Sequence, residues 1–356
     1  MQRFGKIFFI TTIVLLVLWL LPWNYRFITT KGDKSPFILY SNIINDFAIL
    51  DNSQKELTYS DLSGNKYTEK QFNGILPLFY YRQLMSEERL PDTLFGTLIS
   101  PRIIQNENFV FRSNPSQVNA IAGPLYPLLE SMSGRVDLEM PDDVFRMGKR
   151  MEFIDIENNQ VKEEKSVLFT EMLLKKGFVF PAKIIAGNPT ARKEYDEGYL
   201  IIDNENKLFH VKQVKERPYV RLIETIPDLT IKQIYVTEFK NHKSLAFLVD
   251  EQFRFWVLKS KSYEFCQVDI PDFNPEEMSM SIIANMFDWT VTVKDHSKEI
   301  LYALNADDFS LIKSMEWPKT EPSTAQKIGK YLFPVRLEFS SHLNNRIFPR
   351  IKIINH

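Results

Sequence analysis

The sequence has one cysteine, five histidines and no excess of charge of either sign. A single cysteine, Cys266, in 356 residues excludes an intramolecular disulfide, so burial has to hold the fold, which a chain this long can manage. The histidines, His210, His242, His296, His342 and His356, are too scattered for a local zinc motif. A net charge of −1 supplies no general positive field, and no nucleic-acid partner is expected. The G-x-S-x-G elbow, the Walker A loop, the dinucleotide fingerprint and the H-E-x-x-H pair are also missing. No catalytic residue, metal or cofactor is assigned.

Charge is lacking altogether from Ile7 to Trp23, IFFITTIVLLVLWLLPW. As a helix this run covers roughly 25 Å, a little short of a hydrocarbon core near 30 Å. Arg3 and Lys6 can snorkel on one side, while Trp19, Trp23 and Tyr25 suit the interface on the other. We read residues 7–23 as a transmembrane signal anchor, with a cytoplasmic tail at 1–6 and a spacer at 24–36. The alternative is a cleaved signal peptide, which wants a shorter apolar region and a small-x-small cleavage site. Pro22-Trp23-Asn24-Tyr25 is too bulky for that site. Arg3 and Lys6 balance Arg26, Lys31 and Lys34, so flanking charge hardly sets orientation. The brevity of the N-terminal tail favours a cytoplasmic N-terminus. The expected location is a bacterial inner membrane, single-pass, with the main domain in the periplasm and the lipid bilayer as its first partner.

The remainder, in a chain 44% hydrophobic and 25% charged, has the composition of a globular domain. Its second half repeats. Ile185, Ile234 and Ile283 are 49 residues apart, each in a short apolar run. Each run precedes a strand ending in Asp203, Asp250 or Asp295, and two further strands complete each unit. Residues 37–70 give the same four-strand pattern. Four antiparallel strands recurring at nearly 50 residues is the spacing of propeller blades. The expected fold is mainly β: propeller-like four-stranded blades, about five, over residues 37–317, with one or two short helical insertions. A β-sandwich or an open meander fits evenly spaced hairpins as well. The three aspartates read as turn formers.

Between the repeats, Asn73–Glu88 has helical spacing, and within it Tyr80, Tyr81 and Arg82 offer stacking and a cation. A helix packed beneath a blade explains the same aromatics. Strands are expected at Phe109–Arg112 and Asp143–Met147, a hairpin over 151–163, and a helix over Val167–Lys176 closed by Gly177. Residues 318–356 form a linker and a basic, aromatic tail. There Arg336, Arg346, Arg350 and Lys352, with Lys327 and Lys330, face only Glu338. The tail suits docking on anionic lipid or a membrane partner. It also suits an ordinary strand with Val335, Leu337 and Phe339 inward and Arg336 and Glu338 in water.

Two stretches, Asp61-Leu62-Ser63-Gly64-Asn65-Lys66-Tyr67-Thr68 and Leu76-Pro77-Leu78-Phe79-Tyr80-Tyr81-Arg82-Gln83-Leu84, stand behind the single span. In this the chain resembles a family of bacterial envelope proteins known only as a domain of unknown function. The resemblance implies at most an accessory role beside an ABC transporter, with a permease as partner, and brings no catalytic residues. The leading expectation is an extracytoplasmic binding or scaffolding protein. The alternative is an envelope enzyme acting on glycan through carboxylates at the propeller centre, with the acidic pairs Asp142-Asp143, Glu163-Glu164, Glu276-Glu277 and Asp307-Asp308 as the source.

Overall fold

The computed structural model describes residues 2–29, 35–52, 56–121, 123–132, 137–295, 298–318 and 323–353. Spacer residues 30–34, linker residues 319–322, His296 and His356 lie outside that set. The chain opens with one long helix, α1 (Gln2–Thr29), which does not stop at Trp23 as expected. It carries through Pro22 and Asn24, so the expected spacer is helical as far as Thr29. At about 1.5 Å per residue, α1 is roughly 42 Å long. A hydrocarbon core near 30 Å leaves its last turns protruding.

The body is antiparallel β structure in stacked sheets. The first holds Phe37–Ser41, Asp46–Asp51, Thr58–Asp61 and Lys66–Tyr67 in sequence order. The second holds Ile184–Gly187, Tyr199–Ile202, Leu208–Val214 and Arg217–Ile223. The third holds Ile231–Val236, Ser244–Asp250, Phe255–Lys259 and Phe265–Gln267. The fourth runs through Ser279–Ala284, Asp288–Lys294, Glu299–Asn305 and Leu311–Trp317. Phe109–Ser113 joins the fourth sheet as an edge strand, with Phe111 opposite Ile282. Sequence spacing could not foresee this pairing, because its partners are about 170 residues apart.

Side chains alternate across a strand with period two, and that alternation builds the stack. In the second sheet Tyr199, Ile201, Phe209 and Val211 point one way, while Leu200, Ile202 and Leu208 point the other. The latter meet Leu245, Leu248, Trp256 and Leu258 of the third sheet. Its opposite face, Phe247, Val249, Phe255 and Val257, meets Ile282, Trp289, Val291 and Leu304 of the fourth. The far face of the fourth sheet, Leu301, Ala303 and Met315, packs on Ile38, Tyr40, Phe47 and Ile49 of the first. The N-terminal sheet thus lies on the C-terminal one, the order that a ring of repeats requires.

Helices cover the two outer faces. α2 (Glu69–Ile75) sets Phe72, with Leu76 just after it, against Leu39 and Ala48. α3 (Tyr81–Ser86) and α4 (Pro101–Glu107) continue that layer around Leu78, Tyr81, Ile99 and Ile104. The single helix expected over 73–88 is therefore two, because Pro77 disfavours helical backbone at Leu76 and supplies no amide hydrogen. A short α5 (Pro115–Val118) follows the edge strand. At the other end, Asp143–Met147 pairs with Met151–Asp155, backed by α6 (Glu163–Lys175), whose Phe169 and Leu173 pack on the second sheet's residues. The hairpin's partner is thus the upstream strand, and residues 160–163 contribute a single bridge from Val161 to Ile154. Gly177, at φ +82°, closes α6.

Among the described residues the four-stranded repeats number four, where about five were expected. A two-stranded hairpin with a helix stands beside the second sheet. The two-layer sandwich is not what forms, since each middle sheet is buried on both faces. Asp203 and Asp250 close turns as expected: Asp203 Oδ1 accepts from the amides of Glu205 and Lys207, and Asp250 Oδ1 from that of Arg254.

Candidate functional site

The residues singled out in the basic tail fold back onto the end of α1. α7 (Thr324–Leu332), capped by Ser323, and the paired strands Val335–Glu338 and Arg350–Ile353 clasp the helix where it leaves the apolar stretch. Trp19 meets the ring of Phe339 edge-on at 5.0 Å. Tyr25 lies 5.6 Å from the ring of Phe333 and donates from its hydroxyl to Ala325 O at 2.9 Å. Trp23 stacks on Phe27 within α1.

At the centre of the clasp is Glu338. Arg26 reaches its Oε1 at 2.8 Å, Arg336 the same oxygen at 2.9 Å and Lys352 its Oε2 at 3.0 Å. The arginine contacts are ionic and poorly aligned as hydrogen bonds. Burial works to raise Glu338, but its bond to Lys352 and the charges of Arg336 and Arg26 outweigh that and hold it below the ordinary carboxylate range. The simple alternation expected for this strand does not hold. Glu338 is buried and Val335 is 40% exposed, because the cations on α1 and the paired strand draw the carboxylate inward. Arg350 caps the turn, with its guanidinium 3.6 Å from the Phe348 ring centroid and bonds to Phe339 O and the Asn344 side chain. Arg346 lies in that turn, its amide bonded to Asn344 Oδ1. Ile328, Tyr331, Ile347 and Ile351 remain exposed beside it.

Tyr80, Tyr81 and Arg82 take no part in this clasp. Tyr81 is core, Tyr80 packs against Phe79 and Phe72, and Arg82 Nε donates to the Tyr81 hydroxyl at 2.9 Å. The acidic pairs do not converge. Asp142 and Asp143 bond Lys162 and Lys165, Glu163 bonds Arg150, Glu276 faces Lys232, and Asp308 holds a turn through Ser310. Cys266 packs among the apolar residues between the third and fourth sheets. Among the described residues no group of three or more His, Cys, Asp or Glu could hold a metal.

One charged cluster was not anticipated. The loop between Ile184–Gly187 and Tyr199–Ile202 carries Lys193 inward, where its Nζ lies 2.7 Å from Asp196 Oδ1, 2.6 Å from Glu238 Oε1 and 2.7 Å from Asn188 O. All three charged side chains are at least 95% buried. Burial raises Glu238 despite its bonds to Lys193 and the Glu197 amide. Next to it His210 is sandwiched between the Tyr263 hydroxyl at 2.8 Å and Glu197 O at 2.6 Å, and burial lowers its pKa. Residues 192–198 are rich in charge and carry no sequence signal of burial. Only the fold turns Lys193 and Asp196 inward. Every charged member has a partner, so the cluster ties the second sheet to the third and leaves no group poised to react.

The family model of a domain of unknown function, DUF4857, matches residues 37–304. The chain belongs to this family. The DUF4857 match begins at the first strand and ends within the fourth sheet, so α1 and the clasp lie outside it. No curated protein matches the sequence. Solved structures that resemble it distantly include two β-rich proteins. PorZ, a bacterial surface component of the type-IX secretion system of Porphyromonas gingivalis, is 11% identical with a TM-score of 0.25. That match covers 83% of this chain and spans 34% of the length of PorZ. The Cps50 (Swd1) β-propeller domain of Myceliophteria thermophila is 8% identical with a TM-score of 0.27, over 82% of this chain and 90% of that one. Scores of this size do not amount to a shared overall fold.

Proposed function

We propose that the chain is a single-pass membrane protein whose stacked-sheet body acts as a binding or scaffolding module on the periplasmic side of a bacterial inner membrane, accessory to a transporter permease. In this reading the four sheets and the α6-backed hairpin are the five positions of an open propeller. The carrying observation is the clasp. α1 is the one described helix long and apolar enough to span a bilayer, and its most apolar window is 0% buried. Its C-terminal turns are nonetheless built into the fold through Trp19, Tyr25 and Arg26. A cleaved signal peptide would leave Glu338 without Arg26 and Phe339 without Trp19. The contacts therefore favour a retained anchor gripped by the C-terminal tail.

Scaffolding fits the rest of the molecule better than glycan chemistry, since the acidic pairs are dispersed and the buried Lys193 cluster is paired within itself. The test is expression of the full chain in a bacterial host, alkaline extraction of the membranes, and purification in a mild detergent. We expect the chain to stay with the inner membrane, to be cut by protease only once the outer membrane is opened, and to bring a permease with it. Release of the uncleaved chain by alkali would overturn the anchor. Recovery of the chain alone, under conditions that preserve known envelope complexes, would overturn the partner role.

A further inference from the structure

Where the first and fourth sheets meet beneath α2 and α3, a pocket opens between them. It encloses about 50 Å³ and is open to solvent at its mouth. Its walls are apolar, formed chiefly by Ile43, Leu76, Leu78, Phe79, Phe95 and Phe287. Phe79 and Phe95 are 42% and 61% exposed, and Phe95 meets Phe287 edge-on at 5.4 Å. Among the described residues one charged group projects into this apolar surface, Asp288, itself only 4% exposed.

The bonding of Asp288 is one-sided. Asn42 and Asn285 donate their side-chain amides to Oδ2, at 2.7 and 2.9 Å. Oδ1 receives no donor among the described residues. Among the described residues no lysine, arginine or histidine lines the pocket. A second acceptor in the same wall, Asn108 Oδ1, is also buried without a partner, its amide nitrogen being committed to Leu78 O at 2.7 Å. Buried carboxylates are normally paired with a cation, and buried acceptors are normally satisfied. Here one carboxylate oxygen without a donor faces an apolar pocket whose wall also holds an unsatisfied amide oxygen.

We propose that this pocket binds a primary alkylammonium group, its N–H donors on Asp288 Oδ1 and its alkyl stem along the Phe79, Phe95 and Phe287 walls. The chemistry is that of a lysine side chain or of a free alkylamine: an aliphatic stem with three donors at its tip. A quaternary ammonium offers no donors, and a carboxylate or phosphate would meet Asp288 with like charge. The aromatic rim adds attraction for a cation approaching from solvent. Burial, opposed by the Asn285 bond, pushes Asp288 up to about 7. Around it Tyr40, on the first sheet, is raised by burial and then by the charges of Asp288 and Asp46. Asp46 is itself bridged to Lys313 of the fourth sheet at 2.7 Å. A bound cation stabilises the ionised form of Asp288, so binding is stronger at pH 8 than at pH 6.

The test is calorimetric titration of the full chain in detergent with n-butylammonium, with choline, and with two capped tripeptides that differ only in a central lysine or norleucine. We expect saturable binding of n-butylammonium at pH 8 that exceeds that of choline. Asp288→Asn should weaken it roughly tenfold or more, the scale of a lost charge-assisted bond. Phe95→Ala, at the mouth, should weaken it with the carboxylate intact, so the proposal remains testable if the first variant folds poorly. A lysine peptide that binds better than n-butylammonium identifies a protein partner, and one that binds no better than the norleucine peptide identifies a free amine. Absence of saturable n-butylammonium binding, equal binding of choline, or n-butylammonium binding unchanged by both substitutions would overturn the assignment.

Discussion

The residues that most constrain the body are charges that the fold has taken out of water. Lys193 sits between Asp196 and Glu238, and removing it leaves two buried carboxylates facing each other. Breaking such a buried set from one side costs about 3–5 kcal/mol. Lys193→Met should lower the unfolding free energy by that order in a denaturant titration, and adding Glu238→Gln should restore part of the loss. Asp288 makes a separate prediction about pH. Its folded-state pKa, about 7, lies above the ordinary carboxylate value of 3.8. Between those two values the native state keeps a proton that the unfolded chain has released. The stability it contributes is full below the lower value and is lost as pH rises through the upper one, at up to about 1.4 kcal/mol per pH unit. Thermal unfolding of Asp288→Asn between pH 4 and 8 should show a shallower decline than the parent. An identical slope would mean that Asp288 is ionised throughout.

At the scale of elements, the clasp joins two ends of the chain that sequence keeps about 300 residues apart. Its ionic centre is one carboxylate with three cations, two of them 44% exposed. Solvent screening therefore limits what Glu338 contributes to about 1 kcal/mol. Glu338→Gln should raise amide exchange in residues 323–353 while leaving the four sheets protected. Comparable loosening of the sheets would mean that the clasp supports the body as well as the anchor. The same logic explains why the tail could not be assigned from its composition. Its basic residues look available for lipid, yet Arg336 and Lys352 are turned to Glu338, and Arg350 to a turn.

For the whole molecule, stability passes from sheet to sheet because each middle sheet has two buried faces. Phe247 lies where the third and fourth sheets meet, with Phe111, Phe255 and Trp289 between 5.0 and 5.7 Å away. Phe247→Ala should cost about 3–5 kcal/mol. Because the third sheet also carries the second on its other face, the loss should appear as one shifted unfolding transition followed by circular dichroism. Two separated transitions would show that the stack unfolds in independent halves.

What the sequence determined by itself is local and periodic. The uncharged run of α1, the strand alternation and the aspartates at strand ends are short-range patterns, and each is written in neighbouring residues. The family resemblance was also visible there, in the stretches around Asp61 and Leu76. Tertiary structure alone decided the rest: that Phe109–Ser113 completes the fourth sheet, that the tail grips α1, and that Lys193 and Asp288 are buried. Each depends on residues far apart in sequence whose meeting is set by how sheets stack, and periodicity of two says which side chains share a face but not what covers that face.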